Sequence, residues 1–443
     1  TRLGSKEGTP VVKILSVPYS HKANYTKDYG ILNSYAYNTY GEFYNVTEID
    51  VSNLALNNDL IDCSGAFYGM KELTTIIGLD ELNYSKVKDM SNMFYNCHKL
   101  SSVDMRNWDV TSVTDRTSMF ENCNNLTDID VTGMKLGRNL SGLFYEASMV
   151  TSITGLNDLT VGIVTDTSCM FYNCNKLKFD SIVPFLQKIN SVMVTNMSRM
   201  FNNVVLTNEN VQTICEMYNN IPSIDILGSQ SFLTDISIIE PILDKADWTT
   251  LTDISNLFLG WSKIVNVSLL EKYDVSNITN MSSLFKGCFK LEDINGIKDW
   301  DVSKVEDMSD MFNSCDCLAD LTPLKKWDVS SVKTMKGMFS AANYSPIKTL
   351  SGLEDWDVRN VTNMQSMFHA TQGFGYSDAT AKDCSALANW DVRNVTTMNY
   401  MFGGFRIEDY SCLADWNISS LTDFTYMFAH HWAVETDSER VID

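Results

Sequence analysis

Apolar residues recur along the chain in one arrangement, i, i+3, i+4 and i+7, with Phe always at the third place. Met308, Met311, Phe312 and Cys315 form one copy, and Met90, Met93, Phe94 and Cys97 another. The Phe of successive copies falls at Phe67, Phe94, Phe120, Phe144, Phe171, Phe201, Phe258, Phe285, Phe312, Phe339, Phe368, Phe402 and Phe428, with most gaps between 24 and 30 residues. A period of that size marks a repeat architecture in which each unit buries its apolar side against its neighbours. The spacing within a copy predicts one face of a short helix of about two turns. Five residues before each Phe stands Asp, Asn or Thr (Asp62, Asp89 and Asp307 among them), the residue types whose side chains accept from the free N–H groups of a first helical turn.

Two further segments complete the repeat. Short runs such as Leu100–Val103 and Leu291–Ile294 predict strands of a parallel stack. Trp108, Trp300, Trp327, Trp356, Trp390 and Trp416 each lie twelve residues before the next repeat Phe, with Leu82 and Tyr273 at the same place elsewhere. One aromatic per turn at a fixed place predicts a continuous ladder, read as a buried spine rather than a carbohydrate platform. Strands ~4.8 Å apart would make thirteen turns a curved rod about 60 Å long.

Composition changes this picture little. The 443 residues are 44% apolar and carry a formal charge of -21. Residues 1–44 hold five Lys/Arg against three Asp/Glu, a net +2, so -23 belongs to the remainder. Such a surface repels phosphate backbones and anionic lipid, which argues against nucleic acid as a partner and against membrane-surface binding. No apolar run approaches the roughly 18 residues of a membrane span, nor does the start show a charged-then-apolar signal segment. The chain begins at Thr1 rather than Met, as a processed or excerpted N-terminus would.

Candidate chemistry is mostly absorbed by the repeat. Of eleven cysteines, Cys97, Cys123, Cys174, Cys288 and Cys315 sit three residues after a repeat Phe and read as buried, reduced core thiols, with disulfides between adjacent turns as the alternative. Asp109, Asp301, Asp328, Asp357 and Asp391 follow the Trp; a calcium ladder is conceivable there, but turn bonds from side chain to backbone are the favoured reading, so no cofactor or metal is expected. The Asn-x-Ser/Thr triplets at Asn277, Asn280, Asn360 and Asn394 are read as turn and cap residues. His21, His98, His369, His430 and His431 fall at unrelated places, which points away from an enzyme.

The pattern W-D-V-S-x-V-x-x-M-x-x-M-F-x-x-C-x-x-L, strongest over residues 273–428 and 82–126, resembles the BspA-like bacterial surface protein repeat. That resemblance implies an α/β repeat solenoid, a leucine-rich-repeat-like right-handed stack of about 13 to 14 turns, extracellular and used for adhesion or recognition. It carries over no catalytic residue. The expected division is a Tyr-rich N-terminal cap or docking arm (1–44), a first repeat block (45–177), a more helical seam (178–250), a second regular block (251–428) and a C-terminal cap or tail (429–443). In the seam Asp180 and Thr207 are expected to open helices, Pro241 limits a third, and the 57-residue gap from Phe201 to Phe258 implies one repeat that has lost its motif.

Trp300, Asp307, Met308, Met311, Phe312 and Cys315 are therefore structural. Ligand contact is expected where the pattern breaks, above all at the insertion His369–Asp383, with His369, Phe374 and Tyr376 as candidates. The functional expectation is a surface scaffold that binds a protein or carbohydrate on another cell. The alternatives are a virion appendage docked through residues 1–44, and a spacer without specific ligand.

Overall fold

The computed structural model describes residues 11–13, 46–51, 62–189, 193–218, 221, 223–231, 233–341, 347, 349–370, 384–405, 407 and 410–429. The N-terminal tyrosines from Tyr19 to Tyr44, and His430, His431 and Trp432, lie outside them. The chain forms two compact units, Thr1–Gly228 and Ser229–Asp443.

In the first unit, β1 (Val11–Lys13), β2 (Glu48–Asp50) and β3 (Thr75–Ile77) form one parallel sheet. A second comprises β4 (Ser102–Asp104), β5 (Asp128–Asp130) and β6 (Ser152–Thr154), in the register Val103↔Ile129↔Ile153. Partners one repeat apart occupy equivalent places, so Val103 and Ile129 are buried side by side. The unit ends with α1 (Phe179–Leu186) and α2 (Asn208–Met217). Thr207 caps α2 through a reciprocal bond pair with Asn210. Asp180 does not cap α1: Lys178 holds the cap position and Asp180 lies inside the first turn, where its charge suits the helix N-terminus. The motif-less repeat is visible here too, since the turn around Ser223–Gly228 accepts from Arg199 N–H at Asp225 O, 3.1 Å.

The second unit keeps the repeat but replaces most strands. Instead of the strand expected at Leu291–Ile294, a single bridge pairs Asn266 with Asp293, followed by a 3-10 turn at Asn295–Ile297. Similar 3-10 turns precede the Trp at Thr322–Leu324, Ser385–Leu387 and Ser411–Leu413. The helix α3 (Glu240–Leu243) carries Pro241 in its first turn, where no N–H is needed.

The motif itself is not a helix. In a helix Phe312 N–H would donate to Met308 O; it donates instead to Met338 O of the next repeat, 2.9 Å. Met308, Asp310 and Ser314 do likewise, reaching Thr334, Lys336 and Ser340 at 3.1, 2.7 and 2.6 Å. Between them Met311 N bonds Met308 O (3.3 Å) and Cys315 N bonds Phe312 O (3.1 Å), closing two successive four-residue turns. Asp310 and Ser314, third residue of each turn, have φ of 56° and 61°, as in type II turns. Two such turns bring i, i+3, i+4 and i+7 to one side just as a helix does, which is why the apolar spacing misleads. The residue read as a cap opens the motif differently. Asp307 Oδ1 accepts Ser309 N–H at 2.7 Å, an Asx turn, and the whole row bridges in parallel through Asp253, Asn280, Asp307, Thr334, Asn363, Thr397 and Asp423.

Buried ladders run through both units. Phe285 stacks on Phe258 and Phe312 at 5.5 Å each, and the row continues through Phe339, Phe368 and Phe402 at 5.7 Å. Each spine Trp donates its indole N–H to a carbonyl of the previous repeat: Trp300 to Leu270, Trp327 to Ile297, Trp356 to Leu324 and Trp390 to Leu353, at 2.9–3.1 Å. With the polar end of each indole satisfied and no spine Trp more than 9% exposed, the row is core, as its regularity predicted.

Candidate functional site

The motif rows leave little reactive chemistry free. Cys288 Sγ donates to Phe258 O at 3.2 Å and Cys315 Sγ to Phe285 O at 3.2 Å; Cys97, Cys123 and Cys174 do the same in the first unit. Burial pushes these thiols up, Cys123 to about 12, so they are not nucleophiles at neutral pH. A different pair, Cys384 and Cys412, forms a disulfide between adjacent repeats. The carboxylates after each Trp make the turn bonds expected of them: Asp301 Oδ1 accepts Ser303 N–H at 3.1 Å, and Asp357 and Asp391 accept from Arg359 and Arg393. These bonds hold the Asp301, Asp357 and Asp391 carboxyls below their usual range. Among the described residues no group of three His, Cys, Asp or Glu is placed to hold a metal ion. The sequon amides are also engaged, Asn360 Nδ2 donating to Ser330 O at 2.7 Å and Asn394 Nδ2 to Arg359 O at 2.8 Å.

What remains is the outer face of the turns, formed by the residues two before and one after each ladder Phe. A side chain at Gly142 would sit 3.6 Å from Tyr145 Cβ, so these two places adjoin. In the middle of the second unit the face is polar and self-satisfied: Lys286 Nζ pairs with Asp310 Oδ2 at 2.9 Å, and Asn313 Nδ2 donates to Asp310 Oδ1 at 2.8 Å. Toward its end the face turns aromatic. His369 meets Tyr400 edge-on with ring centres 5.5 Å apart, and Tyr400 stacks on Tyr426 at 4.9 Å. Gly403 makes room for this, because a Cβ there would come within 3.0 Å of His369 Cδ2 and 3.1 Å of Tyr400 Cδ1.

Both tyrosines are left-handed, φ 54° and 56°, at a place where other copies carry Asn, Ser, Asp, Gly, Cys or Arg. A bulky side chain there costs about 1–2 kcal/mol, and strain of that kind gathers at functional sites. The first unit carries stacked tyrosines on the same face, Tyr68 with Tyr95 (4.8 Å) and Tyr145 with Tyr172 (4.7 Å). It also has a cavity of about 440 Å³ lined by Met134, Lys135, Asp158, Leu159 and Thr160, where Met134 and Leu159 stand in the places of the indole.

The sequence matches the family described as "Mycoplasma protein of unknown function, DUF285" over residues 61–181, 138–219, 252–379 and 375–440. The chain belongs to the DUF285 family. The matched stretches are those that carry the turn motif, so a DUF285 repeat is here a pair of four-residue turns with an inward Phe and an Asx opening. No curated protein matches the sequence. Among solved structures, the crystal structure of the TLR13–ssRNA13 complex aligns at 10% identity and a TM-score of 0.23, over 86% of this chain and 70% of that one.

Of the candidate ligand residues, His369 lies in the aromatic strip of this DUF285 chain, half-buried and bonded by backbone to Ser366 and Ala341. Phe374 and Tyr376 fall outside the described residues. Tyr400 and Tyr426 are not among the residues the sequence singles out; the available signal is an aromatic at a turn position that other copies fill with non-aromatic residues.

Proposed function

We propose that this DUF285 chain is a non-enzymatic recognition protein of the cell surface, a BspA-like, right-handed leucine-rich-repeat-like solenoid whose outer turn face binds a protein or glycan ligand. The observation that carries the reading is the strip His369–Tyr400–Tyr426. It places strained tyrosines on the surface, where packing does not require them. Two features support it. The reactive side chains of the motif are used in turn and core contacts, leaving the outer face as the variable surface. The Cys384–Cys412 disulfide suits an oxidising, extracellular compartment.

The test is a screen of the purified chain against host glycans and extracellular-matrix proteins, repeated with Tyr400→Asn and Tyr426→Asn. Binding that the substitutions weaken at least tenfold is expected. No binding at all, or binding indifferent to both, sinks the proposal.

A further inference from the structure

In the first unit one junction between motif copies is not made. Elsewhere each copy donates alternate N–H groups to the next, as Asn92, Phe94 and Asn96 do to Thr117, Met119 and Glu121 at 2.9, 3.0 and 2.9 Å. In the copy that follows, the N–H groups of Ser118, Phe120 and Asn122 have no acceptor among the described residues, and the carbonyls of Leu143 and Tyr145 receive no donor from them. Bonding then resumes, with Phe144 N–H reaching Met170 O at 3.0 Å. The Phe ladder is interrupted at the same place. Phe120 stacks on Phe94 and Phe144 on Phe171, at 5.6 Å each, but no ring contact joins Phe120 to Phe144.

Spacing explains the break. Phe120 and Phe144 are 24 residues apart, the shortest interval between copies, and the second copy is drawn out of register with the first. A Cβ at Gly142 would lie 3.9 Å from Arg116, two residues before its counterpart Ser118, whereas one at Gly337 would meet its own counterpart Asp310. Arg116 spans the junction, its Nη1 donating to Ser141 O at 3.4 Å.

The outer tyrosine row breaks here too. Tyr68 covers one face of Tyr95, and Tyr172 one face of Tyr145, at 4.8 and 4.7 Å. Their other faces are turned toward the copy between them, which carries Glu121 in place of tyrosine. At ~4.8 Å per repeat the two rings stand roughly 9–10 Å apart, more than the ~7 Å that a flat group needs between two rings. The Glu121 carboxylate has no hydrogen-bond or ion-pair partner among the described residues. Glu146 beside it accepts Asn173 Nδ2 at 2.8 Å and pairs with no cation there. Burial and the charge of Glu121 hold the Glu146 carboxyl above its ordinary value, with Asn173 opposing them.

We propose that this break seats a guanidinium group, the arginine side chain of a partner polypeptide, between Tyr95 and Tyr145. Two open ring faces beside two unpaired carboxylates call for a cation. A guanidinium is flat enough to lie on a tyrosine while its fork of donors meets Glu121, Glu146 and the open Tyr145 carbonyl; a compact ammonium does only part of this. A metal ion lacks ligands, since no third Asp, Glu, His or Cys joins the pair among the described residues. A neutral sugar would leave the repulsion between the carboxylates unrelieved. The inference concerns the first unit alone and does not depend on the strip His369–Tyr400–Tyr426.

Titration of the full chain with acetyl-Gly-Arg-Gly-amide, followed by broadening of the peptide NMR signals, tests it. The citrulline peptide, neutral and of the same shape, should bind about tenfold more weakly, and the lysine peptide should also be weaker. Glu121→Gln should weaken the arginine peptide by about tenfold as well, and Tyr95→Leu by about threefold. Glu209→Gln, which removes a charge from the exposed start of α2, should leave binding unchanged. Since the Glu121 carboxylate bonds nothing described in the chain, Glu121→Gln should melt as wild type does, and the citrulline comparison uses the wild-type chain whatever the variants do. No binding of the arginine peptide, equal binding of the citrulline or lysine peptide, or binding that Glu121→Gln weakens no more than Glu209→Gln would overturn the inference.

Discussion

Arg116 occupies a core place and provides a quantitative probe of how strictly the stack is packed. It lies four residues before Phe120, where other copies have Met90, Leu140, Met281 or Met308, and is 2% exposed. Its Nη1 and Nη2 reach Ser141 O and Val110 O at 3.4 and 3.3 Å, both long, and its Nε has no partner. Burial pulls the guanidinium from 12.5 down to about 10, only partly offset by the charge of Asp115. At ~1.4 kcal/mol per pKa step that displacement corresponds to ~3 kcal/mol of native-state cost. Replacing it with the Met of its neighbours removes that cost and gives up two weak bonds worth about 1 kcal/mol together.

Arg116→Met should therefore stabilise the chain by on the order of 2 kcal/mol, or roughly 4–8 °C for a unit of this size. Urea and thermal unfolding of the two proteins side by side measure it. The pH dependence has a definite sign. The folded state releases this proton first, so above about pH 10 the unfolded state binds more protons, wild-type stability from this group rises with pH, and the advantage of the variant shrinks. A variant that melts at or below wild type would refute the reasoning and show that the buried cation is satisfied in place.

Other consequences follow from the ladders. Trp327→Phe leaves Ile297 O without the indole donor and opens space in the core, so a loss of about 2–3 kcal/mol is expected by urea unfolding. Cys97, Cys123, Cys174, Cys288 and Cys315 should resist a thiol reagent until the chain unfolds. Because their folded pKa values are raised, the stability they carry is present below the ordinary thiol value of 9.0 and is lost as pH rises past it, which melts at pH 8 and pH 10 will compare. Cys384→Ser with Cys412→Ser removes a crosslink across 28 residues and should cost about 3 kcal/mol, with exchange rising first in the last two repeats. Tyr400→Asn should gain about 1 kcal/mol by relieving a left-handed tyrosine, read from the same unfolding curves.

The repeat made the core legible before any coordinates. A residue type that returns at one place per turn, as Phe312, Trp327 and Cys315 do, can only stack on its own copies, and all three rows are buried except at Phe428, in the last described copy. The backbone conformation was less legible, because a helix and a pair of turns share the apolar spacing. The cue that separates them is the run of Asn, Ser and Gly at the places of Asn96, Ser314 and Gly260, which favours left-handed φ and disfavours a helix. Strand and 3-10 segments before the Trp differ between the units although both read as short apolar runs, since three residues carry too little periodicity to choose. At the outer face the insertion after His369 marks that residue, whereas Tyr400 and Tyr426 sit inside regular copies, and their one cue is an aromatic at a turn place that other copies fill with non-aromatic residues.

The central claim is that recognition lies on the outer aromatic strip while the motif core only builds the stack. Ligand binding by Tyr400→Asn/Tyr426→Asn and by Trp327→Phe, each set beside its unfolding free energy, tests it most directly. The account predicts that the tyrosine variant is the more stable protein and has lost binding, while the tryptophan variant is less stable and binds as wild type. Undiminished binding by the tyrosine variant would contradict it.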